Sequence, residues 1–323
     1  MVSSVAKKRA CYKANVAAKK RPDPFSPYLS DWGVFAPLRL RAQTIAEGVY
    51  AGMHRSVRKG AGVEFGGQRP YVSGDDLRFV DKRSLLRHGR LMIREFETET
   101  DRALWLVVDA TASMAFKGSG PGSKYPFAAL CAAALGRVAL ASGDPVGLVV
   151  LGGDGARALP AASGREAFER MVWTLSAIDP SGDWTARQSD IGDSLAPIHA
   201  RARRGSTIVL FSDLIDLPEG TRSQFGALAT RGRRTFAVQV LSPEEITLPF
   251  EHHARFQSLE GGVVVDADPS AARAHYQSRL AALREEWSSD LIGRGGALVT
   301  ASTSNDPVKI VRALLLGIGG ARA

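Results

Sequence analysis

Cysteine and histidine are scarce in this chain of 323 residues, which has two cysteines and six histidines. Cys11 stands in a basic stretch and Cys131 in an alanine-rich stretch, so neither a disulfide framework nor a cysteine metal cluster is indicated. The histidines show none of the spacings typical of zinc ligands. We therefore expect a cytoplasmic protein, kept in a reducing compartment.

Long apolar runs are also missing. No apolar segment follows the basic residues at the start, as a secretory signal would require. No stretch reaches the roughly 20 apolar residues that a membrane-spanning helix needs. The sequence therefore predicts neither a signal peptide nor a membrane span.

Acidic residues are absent from residues 1–21, which carry seven basic residues and so hold most of the formal net charge of +9. The rest of the chain is close to balanced, which argues against nucleic-acid binding by the folded part. Residues 1–37 are predicted to form a basic, disordered tail and linker. This tail is either a solvated terminus or a weak contact for nucleic acid or an anionic membrane surface.

From residue 103 onward, short apolar stretches rich in β-branched residues alternate with helical stretches. This alternation is typical of a parallel sheet covered by helices on both faces. The predicted fold class is α/β, with a Rossmann-like, mainly parallel sheet in residues 102–318 after a smaller irregular or β segment in residues 38–101. The predicted strands are 103–110, 146–152, 207–213, 234–241 and 297–302, with a hairpin turn at 152–155, and the predicted helices are 124–142, 164–177, 190–203, 219–232, 270–291 and 306–318.

Three oxygen-bearing side chains follow the first strand at every second position: Asp109, Thr111 and Ser113. Asp213 ends a later strand, and parallel sheets bind ligands beyond the carboxyl ends of their strands. Hard oxygen donors favour Mg²⁺, with Mn²⁺ or Ca²⁺ as alternatives, over Zn²⁺. Taken singly, the hydroxyls can cap a turn and Asp213 can pair with an arginine. Taken together, these residues predict a shared metal site.

The motif DATAS (109–113) resembles the Asp-x-Ser-x-Ser signature of von Willebrand factor type A domains, which have a Rossmann-like sheet and a metal-ion-dependent adhesion site. The stretch RPYVSGDDLRFVDKRSLLRHGRLMIREFETE (69–99) resembles the Arg-x-Tyr-x-x-Gly-Asp-Asp-x-Arg element of the domain-of-unknown-function 58 family. VLSPEEITLPF (240–250) and AHYQSRLAAL (274–283) also look like that family. The resemblance covers about residues 38–316, in the family's order.

The resemblance implies a metal site built from three separate loops. The implied ligands are Asp109, Thr111, Ser113, Asp213 and one hydroxyl of the stretch WTARQSDIGDSL (184–195), either Ser189 or its competitor Thr185. The chain departs from the family pattern at position 111, where serine is usual, and at Lys82, where tryptophan is usual. The charged residues of segment 69–99 either brace it against the sheet or face a partner.

The function that the resemblance implies is a non-enzymatic, metal-dependent protein-interaction module. Relatives are typically associated with MoxR-type AAA+ ATPases, so the chain looks like an adaptor in the assembly or maturation of other proteins. Its partner is expected to supply a carboxylate to the metal. Two alternatives stay open: a phosphatase-like metal-dependent hydrolase, and nucleic-acid or anionic-membrane binding through the basic tail. The hydrolase lacks an evident general base, such as a histidine beside the cluster.

Two phosphate-related motifs are discounted. GSGPGSK (118–124) is similar to a phosphate-binding loop, but it is one residue short, lacks the Gly-Lys pair and has Tyr125 where a hydroxyl would bind Mg²⁺. It is interpreted as a flexible connection. A haloacid-dehalogenase-type phosphatase requires a second carboxylate two residues after the first, where this chain has Thr111.

Overall fold

The structure is a computed structural model that describes most of the chain from residue 38 to residue 320. The predicted tail, Ser189 and Thr185 all lie outside the described residues, as does most of segment 69–99. The described ranges are 38–51, 64–71, 92–97, 102–152, 157–182, 191–215, 217–218, 220–251, 254–259 and 264–320.

Ten strands and eight α-helices follow one another in the described ranges. The strands are β1 (Glu64–Pro70), β2 (Met92–Glu97), β3 (Leu104–Ala110), β4 (Val146–Gly152), β5 (Arg157–Ala162), β6 (Thr207–Ser212), β7 (Arg234–Leu241), β8 (Ala254–Gln257), β9 (Val264–Ala267) and β10 (Ala297–Ser302). The helices are α1 (Leu38–Ala51), α2 (Lys124–Ala141), α3 (Gly164–Ser176), α4 (Ile191–Arg201), α5 (Thr221–Ala227), α6 (Pro243–Thr247), α7 (Pro269–Ile292) and α8 (Pro307–Gly320).

A six-stranded sheet with the order β10-β7-β6-β3-β4-β5 forms the centre of the molecule. Its neighbours pair in parallel except for β4 and β5, which are antiparallel, as the predicted hairpin at 152–155 requires. Counted in chain order within the sheet, the arrangement is 3-2-1-4-5-6, the order of doubly wound nucleotide-binding sheets. The predicted α/β class with a mainly parallel sheet is confirmed.

Helices cover both faces of this sheet. Strand β3 is buried along its whole length, and its residues alternate between two apolar cores. Leu104, Leu106 and Val108 belong to the core with α1, α2, α3 and α8, whereas Trp105 and Val107 belong to the core with α4, α5 and α7. Burial on both faces is the reason that the strand sequences read as nearly continuous apolar runs.

Helix α2 is apolar around most of its circumference because it lies inside the larger core. Within the described residues it is the one helix long and apolar enough to cross a membrane by length and composition, and 72% of it is buried in the domain. Helix α1 packs into the same core through Ala42, Ile45 and Val49, which repeat at the spacing of one helical face. The first described helix and the sheet domain therefore share a core.

Several elements differ from their predicted bounds. Helix α5 ends at Ala227, well before the predicted end at 232, because Arg231 and Gly232 adopt left-handed backbone conformations. Strand β5 contains Pro160 and lies at the edge of the sheet, where a missing N–H is tolerated. The hairpin β8–β9 forms a separate two-stranded sheet between α6 and α7.

Candidate metal centre

The sheet order brings the two strand-end aspartates to one place. Strands β3 and β6 are neighbours, and Val108 lies opposite Phe211, so that Asp109 follows directly beside Ser212. Asp213 comes one residue later. Between β3 and β6 the strand order reverses, and crevices at such points are where doubly wound sheets bind their ligands. The predicted association of Asp109 with Asp213 rests on this topology.

The Asp109 carboxylate is almost completely buried, with 1% of the residue exposed. One of its oxygens, Oδ1, accepts a hydrogen bond from the Thr111 backbone N–H at 3.0 Å. The other, Oδ2, accepts from the Ser212 hydroxyl at 2.7 Å. No basic side chain of the described ranges forms an ion pair with Asp109, so its charge lacks a counter-ion there.

The hydroxyl groups of Thr111 and Ser113 lie next to each other at the start of a short 3₁₀ helix, Ala112–Ala115. Thr111 stands at the N-cap position, but its side chain makes no capping hydrogen bond, and its Oγ1 lies 3.0 Å from Ser113 Oγ. Neighbouring ligands of an octahedral Mg²⁺ with bonds near 2.1 Å are separated by about 3.0 Å. The two hydroxyls therefore have the separation that a shared ion requires.

A buried lysine, Lys124, joins this cluster at the start of α2. Its Nζ lies 2.7 Å from Asp213 Oδ2 and 2.6 Å from Glu245 Oε1, and only 1% of the side chain is exposed. The other Asp213 oxygen, Oδ1, accepts from the Ile215 N–H at 3.0 Å. No local sequence pattern indicates this role for Lys124, which is the last residue of the stretch GSGPGSK (118–124).

The loop before Lys124 is held in place rather than being a flexible connection. The Ser119 N–H donates to Glu244 Oε1 at 2.6 Å, and the Lys124 N–H donates to the Phe116 carbonyl at 3.2 Å. A side chain at Gly118 would collide with Glu244, so the loop packs directly against α6. The prediction of a flexible connection is therefore wrong, because α6 supplies partners that local sequence does not reveal.

Helix α6 is fixed by its own N-terminus and by α7. Ser242 and Glu245 form a capping box in which the Ser242 hydroxyl accepts from Glu245 N and Glu245 Oε2 accepts from Ser242 N. The Tyr276 hydroxyl of α7 donates to the Glu245 carbonyl at 2.5 Å. Glu245 thus caps its helix with one oxygen and holds Lys124 with the other.

The backbone of Asp213 is held by a second series of hydrogen bonds. Gln239 Nε2 donates to the Asp213 carbonyl at 3.1 Å, and Arg284 Nε donates to Gln239 Oε1 at 2.7 Å. Gln239 is fully buried in β7, and Arg284 comes from α7. The aspartate that ends β6 is therefore held at both its side chain and its main chain.

The cluster has an excess of negative charge. Burial, together with the nearby Asp213 carboxylate, raises the pKa of Asp109 to about 6. The hydrogen bonds from Ser212 and Thr111 lower this pKa, but they do not offset the rise. Burial alone would lower the pKa of Lys124, but Asp213 and Glu245 keep that pKa above its ordinary value. With Asp109 ionised, three carboxylates face one ammonium group, and a divalent cation would balance the remaining two charges.

These residues fit a hard divalent ion. Asp109, Thr111 and Ser113 offer oxygen donors from one turn, and Asp213 offers a carboxylate from the neighbouring strand end. Among the described residues no group of three or more histidine, cysteine, aspartate or glutamate side chains forms a metal-binding cluster. A metal ion at this site would therefore need the hydroxyl ligands that the sequence motif predicts. The hydroxyl from the second loop, Ser189 or Thr185, stays a prediction.

Gly152, at the end of β4, sets how closely that strand approaches the turn after β3, which contains Asp109, Thr111 and Ser113. Its φ is +83°, and a Cβ there would lie 2.8 Å from Thr111 N and 2.9 Å from the Ala110 carbonyl carbon. Gly164 has a similar φ of +85° but nothing within 4 Å of such a Cβ. The two glycines differ in surroundings and not in backbone conformation.

We expect Gly152→Ala to lower the free energy of unfolding by about 3 kcal/mol, since strain and a backbone collision add together. Gly164→Ala is the matched control and should cost about 1 kcal/mol, from the left-handed conformation alone. Urea denaturation of both variants measures the difference. Equal losses in the two variants would show that the close approach at Thr111 is easily relieved.

The sheet order, the helices on both faces and the strand-end cluster define an α/β domain with a von Willebrand factor type A-like fold. The chain belongs to the family described as "Protein of unknown function DUF58", whose model matches residues 67–286. Uncharacterised proteins of Mycobacterium bovis and Mycobacterium tuberculosis are 30% identical over 277 residues, which cover 83% of this chain and 84% of each relative. The predicted family membership is confirmed.

Solved structures with a similar architecture include two bacterial proteins. The conserved hypothetical protein BatB from Bacteroides thetaiotaomicron is 17% identical and has a TM-score of 0.45, with 68% of this chain and 99% of that chain covered. A von Willebrand factor type A protein from Catenulispora acidiphila is 12% identical and has a TM-score of 0.38, with 69% of this chain and 44% of that chain covered.

Proposed function

We propose that this chain is a non-catalytic protein-interaction module that binds its partner through a divalent cation. The von Willebrand factor type A-like fold supports a protein-interaction module in general. One observation supports the metal-dependent function: β3, which leads into Asp109, Thr111 and Ser113, lies beside β6, which leads into Asp213, at the point where the strand order reverses. Mg²⁺ is the expected ion, with Mn²⁺ or Ca²⁺ as alternatives.

In this mechanism the chain's own residues would hold the ion. Asp109 and the hydroxyls of Thr111 and Ser113 would bind it from the turn after β3, and Ser189 or Thr185 would add a hydroxyl from the second loop. Lys124 holds the Asp213 carboxylate in position through its 2.7 Å ion pair. When bound at these residues, a divalent cation would supply the positive charge that a carboxylate of the partner could bind.

The resemblance to the family supports a partner class. We infer that the chain works in the cytoplasm as an adaptor for a MoxR-type AAA+ ATPase in the assembly or maturation of other proteins. An adaptor needs a surface that engages and releases clients, and a single ion-carboxylate contact beyond the strand ends would meet that need.

A metal-dependent hydrolase is the second candidate, and the Asp109 environment is the observation in its favour. A carboxyl whose pKa is near 6 can accept a proton at neutral pH, as a general base does. Against it, no histidine in the described part of the chain hydrogen-bonds to the cluster, and both Asp109 oxygens already accept hydrogen bonds. We therefore favour the interaction module.

Affinity capture with and without Mg²⁺ tests the proposal. Asp109→Ala is expected to abolish Mg²⁺-dependent capture of the partner while the domain stays folded, and EDTA should have the same effect on the wild type. Asp193→Ala, an exposed aspartate of α4, is the matched control and should capture normally.

Two outcomes would contradict this function. Capture that survives both EDTA and Asp109→Ala would show that the partner binds elsewhere. Turnover of a phosphate ester with Mg²⁺ or Mn²⁺, abolished by Asp109→Ala and retained by Asp193→Ala, would favour the hydrolase.

A further inference from the structure

The edge of the sheet opposite the metal centre is strongly basic. It consists of the segments that lead into the five parallel strands, residues 102–103, 142–145, 201–206, 228–234 and 293–296, which we call the arginine edge. These segments contain eight arginines and one acidic residue, Asp144. Because the folded part of the chain is nearly neutral overall, this charge is concentrated and not a general property of the surface.

The centre of the arginine edge is built by two loops that are fastened to each other. The Gly205 N–H donates to the Gly232 carbonyl at 3.2 Å, and the Arg234 N–H donates to the Ser206 carbonyl at 3.1 Å. The side-chain stem of Arg102 lies over Gly205, and that of Arg204 lies over Gly232. A larger residue at either glycine would push these arginines away, so the loops hold them close together.

Arg233 lies at the middle of this surface without a carboxylate partner. Only 4% of the residue is exposed, and its Nε donates to the Thr230 carbonyl within its own loop. Its Nη1 is buried and has no hydrogen-bond partner. No carboxylate in the described ranges lies within ion-pair distance of it. A buried guanidinium normally has an anionic partner, because burying an unpaired charge is costly.

The positive charge around Arg233 shifts the pKa values of neighbouring groups. Burial lowers the pKa of Arg233, and the charge of Arg231 lowers it further. Burial also lowers the pKa of His199, at the end of α4, and Arg233 adds to that effect. Arg204 and Arg231 are exposed on the same two loops. A bound anion would relieve this repulsion.

We propose that the arginine edge is a binding site for phosphate groups, centred on Arg204, Arg231 and Arg233, whose guanidinium group bonds only to Thr230 through Nε and Nη2 and has no carboxylate partner in the described ranges. Guanidinium groups match phosphate oxygens in a bidentate manner, which makes arginine the residue suited to such a site. The shared chemistry is a phosphate group carried either by an anionic lipid headgroup or by a small soluble molecule. The segments of the edge contain no aromatic residue on which bases of single-stranded nucleic acid would stack.

This site is independent of the metal centre. Strands of six to eight residues at about 3.3 Å per residue separate the two edges by about 20 Å. The arginine edge could therefore hold a phosphate-bearing ligand or surface at one end of the domain. The candidate metal centre at the other end would stay open to a partner.

Binding measurements on the full chain with two defined probes test the proposal. Inorganic pyrophosphate is titrated by calorimetry, and vesicles of phosphatidylglycerol in phosphatidylcholine are tested by co-sedimentation. The double variant Arg204→Ser/Arg231→Ser is expected to lose at least about tenfold in affinity for one of the probes, because each basic residue near a phosphate surface contributes measurably. Both side chains are exposed, so the variant should fold normally.

The control variant is Arg165→Ser/Arg170→Ser, which removes the same charge from exposed positions on α3. It should bind each probe within about twofold of the wild type. Because every variant keeps residues 1–21, binding by the basic tail is common to all and cancels in the comparison.

The pattern of losses identifies the source of the phosphate group or rejects the site. A loss with pyrophosphate assigns a soluble ligand, and a loss with vesicles alone assigns a lipid headgroup. Equal binding of both probes by the edge variant and the control variant would overturn the proposal. A loss seen only with a single-stranded oligonucleotide, included as a third probe, would also overturn it in favour of nucleic acid.

Discussion

Replacing Lys124 with methionine is expected to lower the free energy of unfolding by about 3 to 5 kcal/mol. The ammonium group is buried with the Asp213 carboxylate at 2.7 Å, and it also holds Glu245 at 2.6 Å. Methionine has a similar length and is apolar, so it keeps the packing but leaves two carboxylates beside Asp109 without a positive charge. Removing one partner of a buried ion pair is far more damaging than the net worth of the pair.

Urea denaturation at neutral pH in EDTA measures this loss. Lys309→Met, at an exposed position on α8, is the matched control and should change stability by less than about 0.5 kcal/mol. The triple variant Lys124→Met/Asp213→Asn/Glu245→Gln should recover much of the loss, because the unpaired charges are removed as well. A cost below about 1 kcal/mol for Lys124→Met alone would contradict the buried ion pair.

Lys124 also shows what the sequence could and could not reveal about the site. Asp109, Thr111 and Ser113 share one turn, so their spacing alone predicts that they converge. Asp213 was predicted from its place at a strand end, and the pairing of β3 with β6 brings it to Asp109. Lys124, Ser212 and Glu245 join the site through contacts between distant elements, and no local pattern marks them.

The fold was predictable wherever both faces of an element are buried. Strand β4 was predicted with the bounds that the structure shows, since burial on both faces leaves no polar interruption in its sequence. The bounds of β7 and β10 were also predicted correctly, although Gln239 interrupts the apolar run of β7 and Thr300 is exposed in the edge strand β10. Strand β5 is half exposed, contains a proline and has no such run. The hairpin β8–β9 is short and exposed, with Val264 and Val265 facing outward, so its sequence resembles an irregular loop.

The balance of charge in the cluster connects the role of Lys124 with that of the proposed divalent cation. Lys124 balances the charge of one of the three carboxylates of the cluster, and a divalent cation would balance the other two. Without a cation, Asp109 has to stay ionised in a buried place beside Asp213, or else take up a proton. The metal-free domain should therefore carry a stability cost that depends on pH.

Asp109→Asn is expected to raise the stability of the metal-free domain at pH 7.5 by about 2 to 3 kcal/mol. The folded protein raises the pKa of Asp109 from its ordinary value of 3.8 to about 6, mainly through burial. The folded state thus binds this proton more tightly than the unfolded state, so stability falls as the pH rises from about 4 to 6 and stays lower above that range. The asparagine variant never ionises at this position and avoids the cost.

Urea denaturation of the wild type and of Asp109→Asn in EDTA, from pH 4 to pH 8, follows the difference between the two proteins. The difference should be small near pH 4 and should grow to its full value by about pH 7, since only ionised Asp109 carries the cost. Asp193→Asn, at an exposed position, is the matched control for these measurements. Mg²⁺ at about 100 times its dissociation constant should then stabilise the wild type by about 2.7 kcal/mol and leave Asp109→Asn unchanged. A stability difference that is constant over the whole pH range would show that Asp109 ionises freely, and the charge balance argued for this centre would not hold.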